Sequence, residues 1–314
     1  MYSQKIRMPQ ISSTTASDTF EGFLLTKRAK GAKTKTLETY RHHFRAIGHH
    51  LDTSLNISEL DKNKYEQMIS SMIKSGLSPN SIRSYTVTLR AFLSWCNEEG
   101  LTNFRIKAFK GVDTIKETYT DSEIEVLLKK PNMKTCSFPE YRTWVIINVL
   151  VNNGCRASMI RNIRNDDVDL NTKLIQLRHL KSRKVQAVPL CDALCVILKD
   201  YMRVRGGSRE DYLFPAETGI QLSENALASS IERYNKKRGV ERTSIHAFRH
   251  TFAKKFLLDC GGNALMLQKL LNHSTLDMTK HYCAIFDADV VKGFEQVSPL
   301  ARLCNSNRRI KMRQ

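Results

Sequence analysis

No apolar run in this chain is long enough to cross a bilayer. WVIINVLV, at 144–151, falls well short of the roughly 20 apolar residues that a membrane helix needs. The start, MYSQKIRMPQISSTTASD, contains no apolar h-region, so a secretory leader is not expected. The 8 cysteines are scattered. Only Cys191 and Cys195 lie close together, and no second pair completes a zinc site. Reduced thiols in a cytoplasmic protein are the expectation. Internal repeats and long low-complexity tracts are also missing, so the chain reads as ordinary globular protein. Acidic residues are in short supply, with 31 Asp and Glu against 50 Lys and Arg, for a net charge of +19. Such an excess favours a polyanionic partner, of which nucleic acid is the commonest. At 314 residues the chain is long enough for two domains.

Residues 1–14 read as a polar tail. From 15 to 103 the pattern predicts a small, basic, all-helical domain. DTFEGFLLTKRAKGAKTKTLETYRHHFRAIGHHL suggests two helices around a Lys- and Gly-rich turn. KNKYEQMISSMIKS gives a third that stops at Gly76. A fourth starts with Ser78 as N-cap and Pro79 in the first turn. In it Ile82, Tyr85, Leu89, Phe92 and Cys96 recur at helical spacing, up to Gly100. Residues 104–117 have no clear period and are expected to be a linker. Thr120 with Glu123 forms a capping box that opens a second domain, 118–314. Within it, TKLIQLRHLKSRKVQAVPL alternates on both sides of the turn Lys181-Ser-Arg-Lys184, which predicts a β-hairpin. Helices are expected for CDALCVILKDYMRVR and SENALASSIERYNKK. The fold class is therefore mainly α with a small β-hairpin or sheet, in two domains.

HAFRH, at 246–250, puts His246, Arg249 and His250 on one helical face, with Phe248 and Phe252 pointing away. A basic face backed by an apolar one suits an anionic ligand. The pairs His42, His43 and His49, His50 invite a metal reading. Their equivalent members lie two helical turns apart, about 10.5 Å, too far to share one ion. In NALMLQKLLNHSTLDMTKHY, Leu267, Leu270 and Leu271 form an apolar stripe that Asn272 can end as a left-handed cap. That places His273 at a helix–helix corner, with Tyr282 two turns into the next helix.

These residues resemble the tyrosine recombinases, the phage integrase family. The family signature H-x-x-R, then L-G-H, then Tyr is matched by His246-Ala-Phe-Arg249, Leu271-Asn272-His273 and Tyr282. Its first arginine, after a glycine at a helix end, matches Gly154-Cys155-Arg156. Its hairpin lysine, counted back from Val188-Pro189-Leu190, matches Lys181, with Lys184 as the second choice. Two departures stand out: Met159 occupies a position that is usually acidic, and Asn272 replaces the usual glycine.

The resemblance implies a two-domain clamp on double-stranded DNA and a 3′-phosphotyrosyl intermediate. In that scheme Arg156 and Arg249 hold nonbridging oxygens, Tyr282 is the nucleophile and His246 accepts its proton. Lys181 protonates the departing 5′ oxygen, and His273 hydrogen-bonds the phosphate. No cofactor, neither ATP nor a metal ion, is implied, and a homotetramer on DNA is. His250 is expected to brace the site, and His281 to lie on the surface. Lys27, Arg28, Lys30, Lys33, Lys35, Arg83, Arg90 and Lys184 are candidate DNA contacts. The helical domain begins almost at the start of this sequence, so the arm-binding domain of lambda-type integrases is not expected. A mobile-element integrase and a Xer-like dimer resolvase both fit. A type IB topoisomerase and a catalytically dead DNA-binding protein are the more distant alternatives. Val290, Val291, Phe294 and Val297 give a C-terminal helix an apolar edge, suited to docking on a neighbouring protomer.

Overall fold

The computed structural model describes residues 15–112, 117–177 and 186–272. Lys181, Lys184, His273, Tyr282, His281, the tail 1–14 and the edge at 290–297 lie outside the described residues. The chain divides into two compact units, Met1–Thr114 and Ile115–Gln314.

Among its described residues the first unit contains four α-helices, α1 (Ala16–Ala29), α2 (Thr34–Gly48), α3 (Lys62–Lys74) and α4 (Pro79–Glu98), and a short 3-10 turn at Ile57–Glu59. Side-chain oxygens cap three of the α-helices. Thr15 accepts from the Asp18 N–H, Asp61 from Lys64 and Ser78 from Ser81, so each start retains a partner for an otherwise orphaned donor. α2 begins at Lys33 without such a cap. Aromatic rings form the centre of the core. Phe20 stacks on Phe44 with centroids 3.8 Å apart and meets Phe92 edge-on at 5.2 Å. Met68 and Met72 of α3 are fully buried beside them. Residues 101–112 have neither helix nor strand, yet 104–109 lie on the helices. The Tyr65 hydroxyl donates to the Lys107 carbonyl (2.8 Å), the Phe109 N–H to Thr86 Oγ1 (2.9 Å), and Asn97 Nδ2 to the Phe104 carbonyl (2.9 Å). Phe104, Ile106 and Phe109 supply apolar side chains to the same core.

The second unit contains α5 (Asp121–Leu128), α6 (Phe138–Asn153), α7 (Ala157–Asn162), α8 (Asp192–Arg205), α9 (Glu224–Lys237), α10 (Ile245–Leu258) and α11 (Ala264–Leu271). Its sheet has strands β1 (Val168–Asp169), β2 (Leu174–Leu177) and β3 (Gln186–Pro189), ordered β1-β2-β3 and antiparallel throughout. The hairpin expected from alternation is the β2–β3 pair, with Ile175 opposite Val188 and both buried. The two-residue strand β1 is too short to show a period. α6 is apolar on nearly all sides, as a helix in the middle of a core must be. α5, α8, α9 and α10 all pack on it. The capping box forms as read: Thr120 Oγ1 accepts from Glu123 N–H while the Glu123 carboxylate accepts from Thr120 N–H. No helix among the described residues is long and apolar enough to cross a membrane.

Phe92 touches Phe20, Phe23, Phe44 and Trp95. Phe92→Ala should therefore destabilise the first unit by about 3–5 kcal/mol, measured by urea denaturation.

Candidate active site

α6 is mainly apolar from Trp144 to Val151, then reaches Asn152 and Asn153 and ends at Gly154 in the left-handed region (φ 60°, ψ 29°). A side chain there is strained in its backbone and has no room: a Cβ would lie 2.6 Å from Phe252 Cδ1 and 3.1 Å from Leu271 Cδ2. The turn carries the chain through buried Cys155 to Arg156, the N-cap of α7. Arg156 N–H donates to Met159 Sδ at 3.4 Å. The thioether takes the place in which an acidic residue would complete a capping box. Sulfur is a weak acceptor, yet it meets the same orphaned donor, so Met159 departs from the family pattern in acceptor strength and not in location.

Arg249, on α10, is 4% exposed. Its Nη1 donates to the Gly154 carbonyl and its Nη2 to the Leu271 carbonyl, both at 2.8 Å. Nη1 and Nη2 of half-buried Arg156 both face the Asn272 carbonyl at 3.4 Å. Two guanidiniums from distant parts of the sequence thus meet at the C-terminal end of α11. That end carries partial negative charge from its unpaired carbonyls. These carbonyls are neutral, so they orient the forks without adding a negative charge of their own. Asn272 adopts the left-handed cap (φ 51°, ψ 56°) expected of it, so exchanging glycine for asparagine preserves the corner. His246 lies one turn before Arg249 on α10 and is exposed, while His250 is half-buried. The basic face expected of HAFRH is therefore divided, with His246 open to solvent and Arg249 sunk among carbonyls.

Burial pushes the Cys155 thiol up to about 12, against the pull of both Arg249 and Arg156. Among the described residues no group of three His, Cys, Asp or Glu is placed to hold a metal ion. The histidine pairs make local contacts instead: His43 Nδ1 lies 2.8 Å from Thr88 Oγ1 and His50 Nδ1 2.9 Å from Ser71 Oγ. Burial, reinforced by His42, holds His43 below the usual imidazole range.

In the first unit the candidate DNA contacts cluster at the α1–α2 turn. Lys27 and Arg28 occupy the last turn of α1, Lys30 and Lys33 flank the turn, and Lys35 begins α2. All but Lys27 are exposed; its ammonium lies 5.2 Å from the Phe23 ring centroid. Arg83 and Arg90 are exposed on α4.

Two family models match the chain. The model of the phage integrase family matches residues 117–288, more than half of the chain. That of the phage integrase N-terminal SAM-like domain matches residues 20–100. A tyrosine recombinase XerC of Thermodesulfovibrio yellowstonii is 26% identical over 296 residues, covering 88% of this chain and 94% of that one. A Tn1549 transposon integrase in complex with a circular-intermediate DNA is similar in fold, with a TM-score of 0.74 at 17% identity, covering 90% of this chain and 100% of that one. A lambda integrase tetramer bound to a Holliday junction has a TM-score of 0.70 at 17% identity, covering 87% of this chain and 78% of that one.

Gly154→Ala should cost about 1–3 kcal/mol from its left-handed backbone alone and should displace the carbonyl that anchors Arg249. DNA cleavage is expected to fall further than DNA binding, as read by adduct formation and gel shift on the same site. Cys155 should resist iodoacetamide at about pH 8, where a buried protonated thiol is inert, while exposed Cys191 and Cys260 are alkylated. Peptide mapping of the native protein measures both.

Proposed function

The chain belongs to the phage integrase family, and from that premise we propose that it is a site-specific recombinase that integrates and excises a mobile element. The observation that carries the reading is the meeting of Arg156 and Arg249 at the end of α11, one residue before His273. Transesterification at a phosphodiester builds extra negative charge on the nonbridging oxygens. Forked donors that never lose their charge suit that task, and in a partly buried site they act with little screening.

In the proposed step the Tyr282 oxygen attacks phosphorus and its proton passes to His246. A free phenol titrates near pH 10, so the nucleophile needs both a cationic surrounding and a proton acceptor. The P–O5′ bond breaks, and Lys181 protonates the departing oxygen. His273 donates a hydrogen bond to the phosphate, and His250 braces α10. The 3′-phosphotyrosyl link retains the bond energy, so a 5′ hydroxyl can reverse the step without ATP. Positive charge comes from Arg, Lys and His, and no carboxylate cluster of the kind that holds Mg²⁺ accompanies them in the sequence.

Residues 15–103 serve as a core-binding domain, 104–117 as the linker and 118–314 as the catalytic domain, the two closing on duplex DNA as a clamp. Lys27, Arg28, Lys30, Lys33, Lys35, Arg83, Arg90 and Lys184 contact the phosphate backbone. Four protomers assemble on paired sites in the cytoplasm, on the nucleoid, linked through the segment around 290–297. The solved transposon integrase similar to this chain supports the mobile-element reading. A Xer-like resolution of DNA dimers is the second reading, supported by relatives named XerC and XerD. Sequencing the DNA trapped on Tyr282 separates them: element ends favour the first, a chromosomal or plasmid dimer site the second.

Tyr282→Phe should bind its site as tightly as wild type yet form no covalent adduct with a nicked suicide substrate. An adduct from the Phe variant would remove Tyr282 from the role. Wild-type cleavage should persist in EDTA, and a loss of adduct reversed by Mg²⁺ would overturn the metal-free step.

A further inference from the structure

The segment that enters the second unit is attached to the helix that carries His246 and Arg249. Tyr119 is the centre of that attachment and is 3% exposed. Its backbone N–H donates to Thr251 Oγ1 at 2.8 Å, and Thr251 in turn donates to the Ala247 carbonyl within α10. Its hydroxyl is shared between the carbonyls of Arg242 (3.2 Å) and Ser244 (3.3 Å). Ser244 is the N-cap of α10, two residues before His246. Asn235 Nδ2 on α9 bridges the same groups, reaching the Tyr119 hydroxyl at 3.1 Å and the Arg242 carbonyl at 2.7 Å. The ring stacks on Phe248 with centroids 4.1 Å apart and planes 25° from parallel. Ion pairs flank it: Glu117 and Glu123 with Arg242, and Asp121 with Lys255.

One side chain and its amide thus hold α10 at three places: before its first turn, at Phe248 between His246 and Arg249, and at Thr251. α10 receives no side-chain cap bond from Ser244, so its entry needs another fastening. A phenol suits the job, since it combines a flat apolar face with one polar tip. Burial raises the Tyr119 phenol well above its usual range, so it remains a donor at any working pH.

We propose that Tyr119 is a positioning residue for strand cleavage. It fixes the first turn of α10 so that the His246 imidazole and the Arg249 guanidinium address one phosphate together. The part about cleavage rests on the recombinase reading; the hold on α10 does not. Tyr119→Phe keeps the stack on Phe248 and removes the bond to the two carbonyls. Tyr119→Leu removes both.

Three measurements test this. Hydrogen exchange of the DNA-free protein should show the amides of 245–250 opening roughly tenfold faster in Tyr119→Phe, with the rest of the unit unchanged. Adduct formation at saturating DNA should fall about fivefold in Tyr119→Phe and further in Tyr119→Leu, because small displacements of reacting groups cost rate steeply. The Kd for a single site should stay within about twofold, since phosphate contacts spread over the surface dominate affinity. Wild-type exchange at 245–250, or a loss of Kd that accounts for the whole loss of rate, would overturn the proposal. Faster exchange in the variant together with no adduct from wild type would instead bring down the recombinase reading and leave the hold on α10 standing.

Discussion

Arg249 makes two hydrogen bonds on which much of the second unit depends. One runs to the carbonyl that ends α6 and the other to a carbonyl that ends α11. A guanidinium is expensive to bury unless its donors are matched, so its place inside the unit requires both carbonyls to be turned inward. That demand explains several local choices together. Gly154 must be left-handed for its carbonyl to face α10. Leu271 and Phe252 must close over the turn, which leaves no space for a Cβ. Asn272 must end α11 within reach of Arg156. The small apolar cluster of Ala253, Leu267 and Leu271 holds α10 and α11 side by side behind these contacts.

The remainder of the unit keeps those carbonyls still. α6 is buried along almost its whole length and presents Gly154 from a rigid rod. α10 is fastened along one side by Tyr119 and Thr251 and along the other by its arginine. The exposed histidine at its start is thereby carried on a helix with little freedom of its own. Preorganised donors aimed at a developing charge do not have to reorganise as it forms, and in the cleavage step proposed above such rigidity would serve that end.

Much of this was legible in the sequence where a local rule governs the outcome. The caps at Ser78 and Thr120 and the left-handed ends at Gly76 and Asn272 depend on a few neighbouring residues. The hairpin could be read from alternation and the α4 core face from its spacing. What escaped depends on contacts distant in sequence. Residues 104–109 lack any period, yet their aromatics and carbonyls find α3 and α4. Arg249 was legible as part of a basic face suited to an anion, but periodicity cannot reveal the carbonyls supplied by 154 and 271 that bury it. Tyr119 stood at the edge of an expected linker. Its signal was there nonetheless: an aromatic residue directly before a capping box, where a solvated connection has little use for one. Met159 was legible as a departure, but only the 3.4 Å contact shows that its sulfur still meets the N–H in question.

The shared end of α11 also bears on how this chain can change over generations. Because the carbonyls of Leu271 and Asn272 hold one arginine each, the two arginines are not separable traits. A drift that alters the length or register of α11 shifts both anchors in one event, and no compensating change at a single arginine restores the pair. Variation should therefore accumulate on the exposed face of α11, at Leu265, Met266 and Lys269, while its last turn stays under joint constraint. A lineage that abandons catalysis would be recognised first by loss of that turn's geometry, even with both arginines still in place.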